Sequence, residues 1–238
     1  TDPHDYEPTP KDARAVASAR YVIENGIGYD PWAQKLLAAN PDSGRKVLVV
    51  GDQLGLKAGD NPHRWYAPDD VQSVIARITS DLKQIDAKDA DYFDQQQRVY
   101  LSSGLRQYTA LIQRIRQSYA GTPVGASESV FTPLAQALGL KLLTPGSLLD
   151  AISEGSDPTA RDKATADQQI ANGQIAVFVY NSQNATPDVQ NLVNAAKAAN
   201  IPVVQITETL SPAGATFQAW QTSQLQALAD ALARATGT

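Results

Sequence analysis

The run Ile175-Ala176-Val177-Phe178-Val179-Tyr180 is the strongest strand signal in the sequence. A helix is predicted after it, from Pro187 to Ala199, and a last strand, Ile201 to Ile206, and a last helix, Phe217 to Ala235, follow in the same order. Continuous apolar runs of this kind are typical of strands buried in parallel sheets. Their alternation with helices predicts an α/β fold whose ligand sites lie in loops beyond the carboxyl ends of the strands.

The first half of the chain shows the same alternation. Val47-Leu48-Val49-Val50 is a second continuous apolar run. A helix beginning at Pro68 carries apolar residues at helical spacing on one face: Val71, Val74, Ile75, Ile78 and Leu82. In the second half, Asp157-Pro158 is predicted to cap a polar helix that reaches about Ala171.

Between the two halves, residues 88–119 contain no proline, and their only glycine is Gly104. The spacing predicts one helix of roughly thirty residues, about 45 Å long at 1.5 Å per residue. We therefore predict an N-terminal lobe over residues 1–87, a connecting helix over 88–120 and a C-terminal lobe over 121–238.

Composition excludes several classes of function. The chain has 238 residues, 42% of them apolar, and a net charge of −5 without long like-charge runs, so we expect no nucleic-acid partner. No apolar run approaches the roughly 18 residues that a bilayer span needs. Cysteine is absent, which excludes disulfides, thiolate ligands and a cysteine nucleophile. A metal site would have to use nitrogen and oxygen ligands.

The N-terminus carries no targeting segment, and the chain contains no methionine. We therefore expect that residue 1 is not a translational start and that a segment upstream of it has been removed; a cleaved leader would fit an exported protein.

The two histidines of the sequence stand in nearly the same context. His4 lies in Asp2-Pro3-His4-Asp5-Tyr6-Glu7-Pro8, and His63 lies in Asn61-Pro62-His63-Arg64-Trp65-Tyr66-Ala67-Pro68. Each preceding proline fixes its own φ and restricts its neighbour, which suits a preorganised ligand. A lone loop histidine is more often structural, and the shared context leaves the structural and the metal-binding interpretations equally open. A metal site would need carboxylates to complete the ligand set.

These two motifs, together with Gly28-Tyr29-Asp30-Pro31-Trp32 and Ser127-Glu128-Ser129-Val130-Phe131, resemble those of the zinc/manganese solute-binding proteins of bacterial ABC importers, the cluster A-I family. The resemblance covers essentially the whole chain. It implies two α/β lobes with mostly parallel sheets, one long backbone helix between them and a metal site in the inter-lobe cleft. It also implies four ligands, His4 and His63 from one lobe, and Glu128 and Glu208 from the other.

Each carboxylate has an alternative interpretation. Glu128 could cap the helix predicted near Thr132. Glu208 stands where the family more often has aspartate, so its longer side chain could reach too far or bind through water.

The sequence departs from the family pattern in two places. The first strand and helix of the N-terminal lobe, roughly forty residues, are missing. The His-rich loop of many zinc-specific members is also missing, because residues 52–60 contain no histidine.

The resemblance implies an extracytoplasmic binding protein that delivers a divalent metal ion to an ABC permease, with no catalytic residues. Two imidazoles and two carboxylates favour Mn²⁺, with Zn²⁺ or Fe²⁺ as alternatives, because carboxylates can bind in bidentate fashion. We expect a monomer. Two other functions stay open at this point, a metal-dependent hydrolase and a surface adhesin that retains the metal-binding fold.

Overall fold

The structure is a computed structural model that describes residues 3–237, except for the side chain of Asp5. The chain forms two compact units, divided between Ser102 and Ser103. Both units combine helices with parallel strands. The predicted α/β class with parallel sheets is therefore confirmed.

The N-terminal unit is built around two parallel strands, β1 (Tyr21–Glu24) and β2 (Lys46–Val49). Its helices are α1 (Pro10–Ser18), α2 (Pro31–Ala39), α3 (Val50–Gln53), α4 (Pro68–Ile85) and α5 (Ala90–Val99), with 3-10 turns at Pro3–Asp5, Arg64–Tyr66 and Ala87–Asp89. Proline occupies the first helical turn of α1, α2 and α4, where its missing N–H costs nothing.

A buried carboxylate ties α4 to the strands. Asp81 accepts hydrogen bonds from the Tyr21 hydroxyl at 2.8 Å and Arg77 Nε at 3.0 Å, and Lys46 Nζ lies 3.1 Å away. Burial alone would raise the pKa of Asp81, but the hydrogen bonds from Tyr21, Lys46 and Arg77 lower it below its usual value. Asp81 is therefore ionised and paired inside the unit.

The C-terminal unit holds a parallel sheet with the strand order β4-β3-β5-β6. The strands are β3 (Pro123–Ala126), β4 (Lys141–Leu142), β5 (Val177–Asn181) and β6 (Val203–Ile206). The helices are α6 (Arg106–Tyr119), α7 (Thr132–Leu138), α8 (Gly146–Ser153), α9 (Ala160–Ala171), α10 (Pro187–Ala198) and α11 (Phe217–Thr236). The carboxyl ends of three neighbouring strands, β3, β5 and β6, thus meet at one edge of the sheet.

Apolar side chains from the strands and from α11 fill the core of this unit. Phe178, Leu225 and Leu232 are fully buried. Helix α11 packs against α6, and the rings of Phe217 and Tyr108 meet with centroids 5.9 Å apart. The cap of α9 corrects the sequence prediction, because the hydroxyl of Thr159, and not Asp157, accepts from the Asp162 amide.

The predicted thirty-residue helix is helical but not uniform. A π-helical segment, Tyr100–Gly104, separates α5 from α6 and contains the boundary between the two units. Its sequence Ser102-Ser103-Gly104 has low helix propensity, and the Ser102 hydroxyl bonds to the Arg98 carbonyl at 2.7 Å. This competition with the main-chain bonds accounts for the interruption.

Candidate metal centre

In the N-terminal unit the two histidines face each other. His4 lies in the 3-10 turn before α1, and His63 follows Pro62 just before the Arg64–Tyr66 turn. Their Nε2 atoms are 3.2 Å apart, although 59 positions separate them in sequence. Asn25, directly after β1, fixes the second loop by donating its side-chain amide to the Pro62 carbonyl at 3.0 Å. The strand thus helps to place His63.

The protonation of His63 follows from its neighbour Asn61. Asn61 Oδ1 accepts from the His63 backbone N–H at 3.0 Å, which identifies this atom as an oxygen. The same oxygen lies 3.0 Å from His63 Nδ1, so Nδ1 must carry the proton that it donates. In the neutral ring the lone pair is then on Nε2, the atom that faces His4. Histidine ligands of metals are commonly oriented by such a hydrogen bond on the opposite nitrogen.

Aromatic side chains surround the imidazoles within the same unit. The ring centroid of Tyr29 lies 4.8 Å from that of His4 and 5.0 Å from that of Trp65. Trp65 in turn lies 5.4 Å from His63, which is buried. These edge-on contacts restrict the rotation of both imidazoles.

The spacing of the imidazoles fits a shared ion. Two nitrogens that each lie about 2.0–2.1 Å from a tetrahedral metal ion are about 3.3 Å apart. The observed Nε2–Nε2 distance is 3.2 Å. The two Nε2 atoms therefore lie at about the separation that a shared ion requires.

In the C-terminal unit, Glu128 lies two positions after Ala126, the last residue of β3. It is 1% exposed, and the Ser127 amide before it donates to the Val179 carbonyl of β5 at 2.9 Å. The Glu128 side chain makes no capping hydrogen bond to the turn Ser129–Phe131 that it precedes. Helix α7 begins at Thr132 and has Phe131, not Glu128, at its N-cap, so the capping alternative is wrong for this residue.

Glu208 occupies the corresponding place after β6. The preceding residue, Thr207, is held by Gln224, which accepts from its amide at 2.7 Å, and by Trp220, whose indole donates to its hydroxyl at 2.8 Å. The backbone amide of Glu208 donates to Gln183 Oε1 at 2.7 Å. Glu208 as a whole residue is 4% exposed.

One asparagine joins the two carboxylates. Asn181 Nδ2 lies 2.6 Å from Glu128 Oε1 and 2.6 Å from Glu208 Oε1. Asn181 is the last residue of β5, and β5 lies between β3 and β6. Asn181 could not be predicted as a site residue from the sequence, because an asparagine at the end of an apolar run is also an ordinary strand terminator.

The structure thus groups the four predicted ligands as two pairs, each inside one unit: His4 with His63, and Glu128 with Glu208 through Asn181. That all four bind a single ion stays a prediction.

The sequence matches the family described as zinc-uptake complex component A, periplasmic, over residues 1–231. The chain belongs to this family. Membership agrees with the resemblance inferred from the histidine motifs, and it makes the chain a metal-binding solute-binding protein rather than an enzyme, as predicted. It supports that interpretation over the hydrolase and the adhesin.

Individual relatives agree with this assignment. The chain is 24% identical over 221 residues to the metal ABC transporter substrate-binding lipoprotein FimA of Streptococcus parasanguinis, an alignment that covers 85% of the chain and 68% of FimA. It is 27% identical over 149 residues to the iron-binding protein YfeA of Yersinia pestis, covering 58% of the chain and 47% of YfeA. The chain thus spans less than half of the second relative.

The fold is shared with solved structures. A manganese-bound mutant of a periplasmic metal binding protein from Candidatus Liberibacter asiaticus superposes with a TM-score of 0.79 at 21% identity, covering 98% of the chain and 88% of that protein. The periplasmic family description agrees with the predicted extracytoplasmic location. None of the described helices combines the length and the apolar character that crossing a membrane requires.

Proposed function

We propose that His4, His63, Glu128 and Glu208 together bind one divalent transition-metal ion, which the protein delivers to a membrane permease. The observation that carries the proposal is the 3.2 Å separation of the two imidazole Nε2 atoms, with Asn61 holding the proton of His63 on the opposite nitrogen. Two facing Nε2 atoms of this kind form half of a nitrogen and oxygen site.

The carboxylate pair supplies the chemistry that the histidines lack. Two neutral imidazole ligands leave the charge of a divalent ion uncompensated. Two carboxylate ligands would neutralise that charge. Glu128 and Glu208 are the buried acidic pair that Asn181 brackets in the other unit. Buried carboxylates are costly unless they are paired or coordinate a metal, which favours a role in binding an ion.

The division of the chain predicted from the sequence is part of the same proposal. We infer an N-terminal lobe over residues 1–87 that contributes the histidines, a C-terminal lobe over 121–238 that contributes the carboxylates, and a connecting helix over 88–120. The binding protein acts as a monomer, with no nucleic-acid partner.

The ion is a divalent first-row transition metal. The descriptions of the family and its relatives name zinc, iron and manganese in different proteins, so they do not select one. Manganese stays the prediction of the sequence analysis, with zinc and iron as alternatives.

The direct test is calorimetric titration of the metal-free protein with Zn²⁺ and Mn²⁺. We expect one ion per chain, and His63→Ala should weaken binding at least a hundredfold, because about 1.4 kcal/mol corresponds to each tenfold and a lost ligand costs more than twice that. Thr79→Ala, a buried change in the same unit, is the matched control and should bind like the parent. Equal affinity in the His63→Ala protein would contradict the proposal.

A further inference from the structure

Asn181 holds the carboxylate pair with both hydrogens of its amide nitrogen. The distances from Nδ2 to Glu128 Oε1 and to Glu208 Oε1 are 2.6 Å each, and Asn181 is fully buried. Ionised carboxylates only accept hydrogen bonds, and an amide NH₂ offers two donors. One neutral side chain therefore donates a hydrogen bond to each of the two carboxyl groups.

The orientation of this amide is set by other residues. The backbone N–H of Gln183 donates to Asn181 Oδ1 at 3.0 Å, so the oxygen must face Gln183 and the NH₂ must face the glutamates. The Asn181 backbone amide donates to the Ser127 hydroxyl at 3.1 Å, next to Glu128. Asn181 is thus fixed at both its backbone and its side chain.

We propose that Asn181 is a positioning residue that makes each glutamate offer one oxygen to the ion and thereby shifts the metal preference of the site. This inference rests on the proposed function of Glu128 and Glu208 as ligands. In each carboxylate the bond from Asn181 engages Oε1. Bidentate coordination would turn both oxygens of a carboxylate toward the ion, and Oε1 would then have to meet the ion with one lone pair while the other stays directed at Asn181.

The consequence differs between metals. Zinc in protein sites is usually four-coordinate, and two imidazoles with two monodentate carboxylates supply four ligands. Manganese accepts oxygen-rich sets of higher coordination number, which bidentate carboxylates would provide. Asn181 therefore favours zinc over manganese in affinity, which works against the manganese prediction made from the sequence.

The test compares the ratio of the dissociation constants for Mn²⁺ and Zn²⁺ in the parent and in Asn181→Ala. We expect the ratio to fall on the order of tenfold in the variant, because manganese gains carboxylate oxygens that Asn181 had restrained. The matched control is Asn184→Ala, which removes another buried asparagine whose amide bonds to the Ile152 carbonyl at 3.1 Å and not to a glutamate. Its ratio should equal that of the parent.

A second measurement does not depend on the variant folding. Infrared difference spectra of the parent protein on Mn²⁺ binding separate monodentate from bidentate carboxylates by the splitting of their stretching bands. Monodentate splitting is expected, and bidentate splitting in the parent would overturn the inference.

The outcomes also separate this inference from the proposed function. If the parent binds metal and His63→Ala does not, but the Asn181→Ala ratio is unchanged, the role of Asn181 is wrong and the metal site stands. If the parent binds neither ion, both the proposed metal site and the proposed role of Asn181 are wrong.

Discussion

At the scale of single residues, the N-terminal unit depends on a carboxylate that is not part of the candidate site. Asp81 is 1% exposed and is bonded to Tyr21, Lys46 and Arg77. Replacing it by asparagine leaves these donors facing a neutral group. We expect Asp81→Asn to lower the free energy of unfolding by about 3 kcal/mol at pH 7, measured by urea denaturation.

The same substitution has a defined pH dependence. Because the pKa of Asp81 is lowered in the folded protein, its contribution to stability is present above the unfolded value of about 3.9 and is lost as the pH falls through the folded value. The difference between parent and variant should therefore be full at pH 7 and shrink below about pH 4. Asp94→Asn is the control, since its pair with Lys83 is about one third exposed and should contribute at most about 1 kcal/mol.

Residue types explain which parts of the candidate site could be predicted. His4 and His63 are the two histidines of the sequence and stand in similar motifs, so they could be predicted as candidate ligands from the sequence. Asn181 acts through geometry that no local pattern encodes, because its two glutamate partners lie 53 and 27 positions away in sequence. Such orienting residues become visible only when distant segments are brought together.

At the scale of secondary-structure elements, the interruption between α5 and α6 offers a test of why the helix is not uniform. Gly104 closes the π-helical segment Tyr100–Gly104 and is not among the glycines with positive φ. Alanine suits helical φ and ψ and reduces the freedom of the unfolded chain. We expect Gly104→Ala to stabilise the protein by about 0.5–1 kcal/mol and to slow amide hydrogen exchange over residues 100–104.

The control for this prediction is Gly121→Ala. Gly121 has a φ of +83°, a conformation that alanine adopts only with strain. The change there should destabilise the protein, so opposite signs are expected at the two glycines. Faster exchange over residues 100–104 in Gly104→Ala would contradict the role of helix propensity.

The secondary-structure elements differ in how well they could be predicted from the sequence. Apolar runs located β2, β5 and β6 because buried parallel strands need continuous apolar side chains. The interruption at Ser102-Ser103-Gly104 was missed because apolar spacing continues through it, and helical periodicity does not distinguish an α-helical turn from a π-helical one. The order of β4-β3-β5-β6 likewise depends on pairings between distant segments.

At the scale of the whole molecule, the question is which ion the protein carries. The Irving–Williams order places zinc above manganese at nearly any nitrogen and oxygen site, so tight zinc binding in solution does not identify the cargo. The measurement is therefore cellular: the gene is deleted and the content of each metal is determined.

The manganese prediction expects manganese content to fall and manganese supplements to restore growth. Restoration by zinc alone, with manganese content unchanged, would defeat it and agree with the preference inferred for Asn181. Complementation with His63→Ala is the control, since it should restore neither metal.

The order of the strands has a consequence for when the candidate carboxylate site can exist. Glu128, Asn181 and Glu208 follow or end β3, β5 and β6, and β5 must pair with both neighbours before the three residues meet. Bringing together segments so far apart in sequence costs the entropy of closing long loops, which the pairing of β5 with β3 and β6 has to offset. A partly synthesised chain in which β6 has not yet paired with β5 therefore does not bring Glu208 next to Glu128 and Asn181.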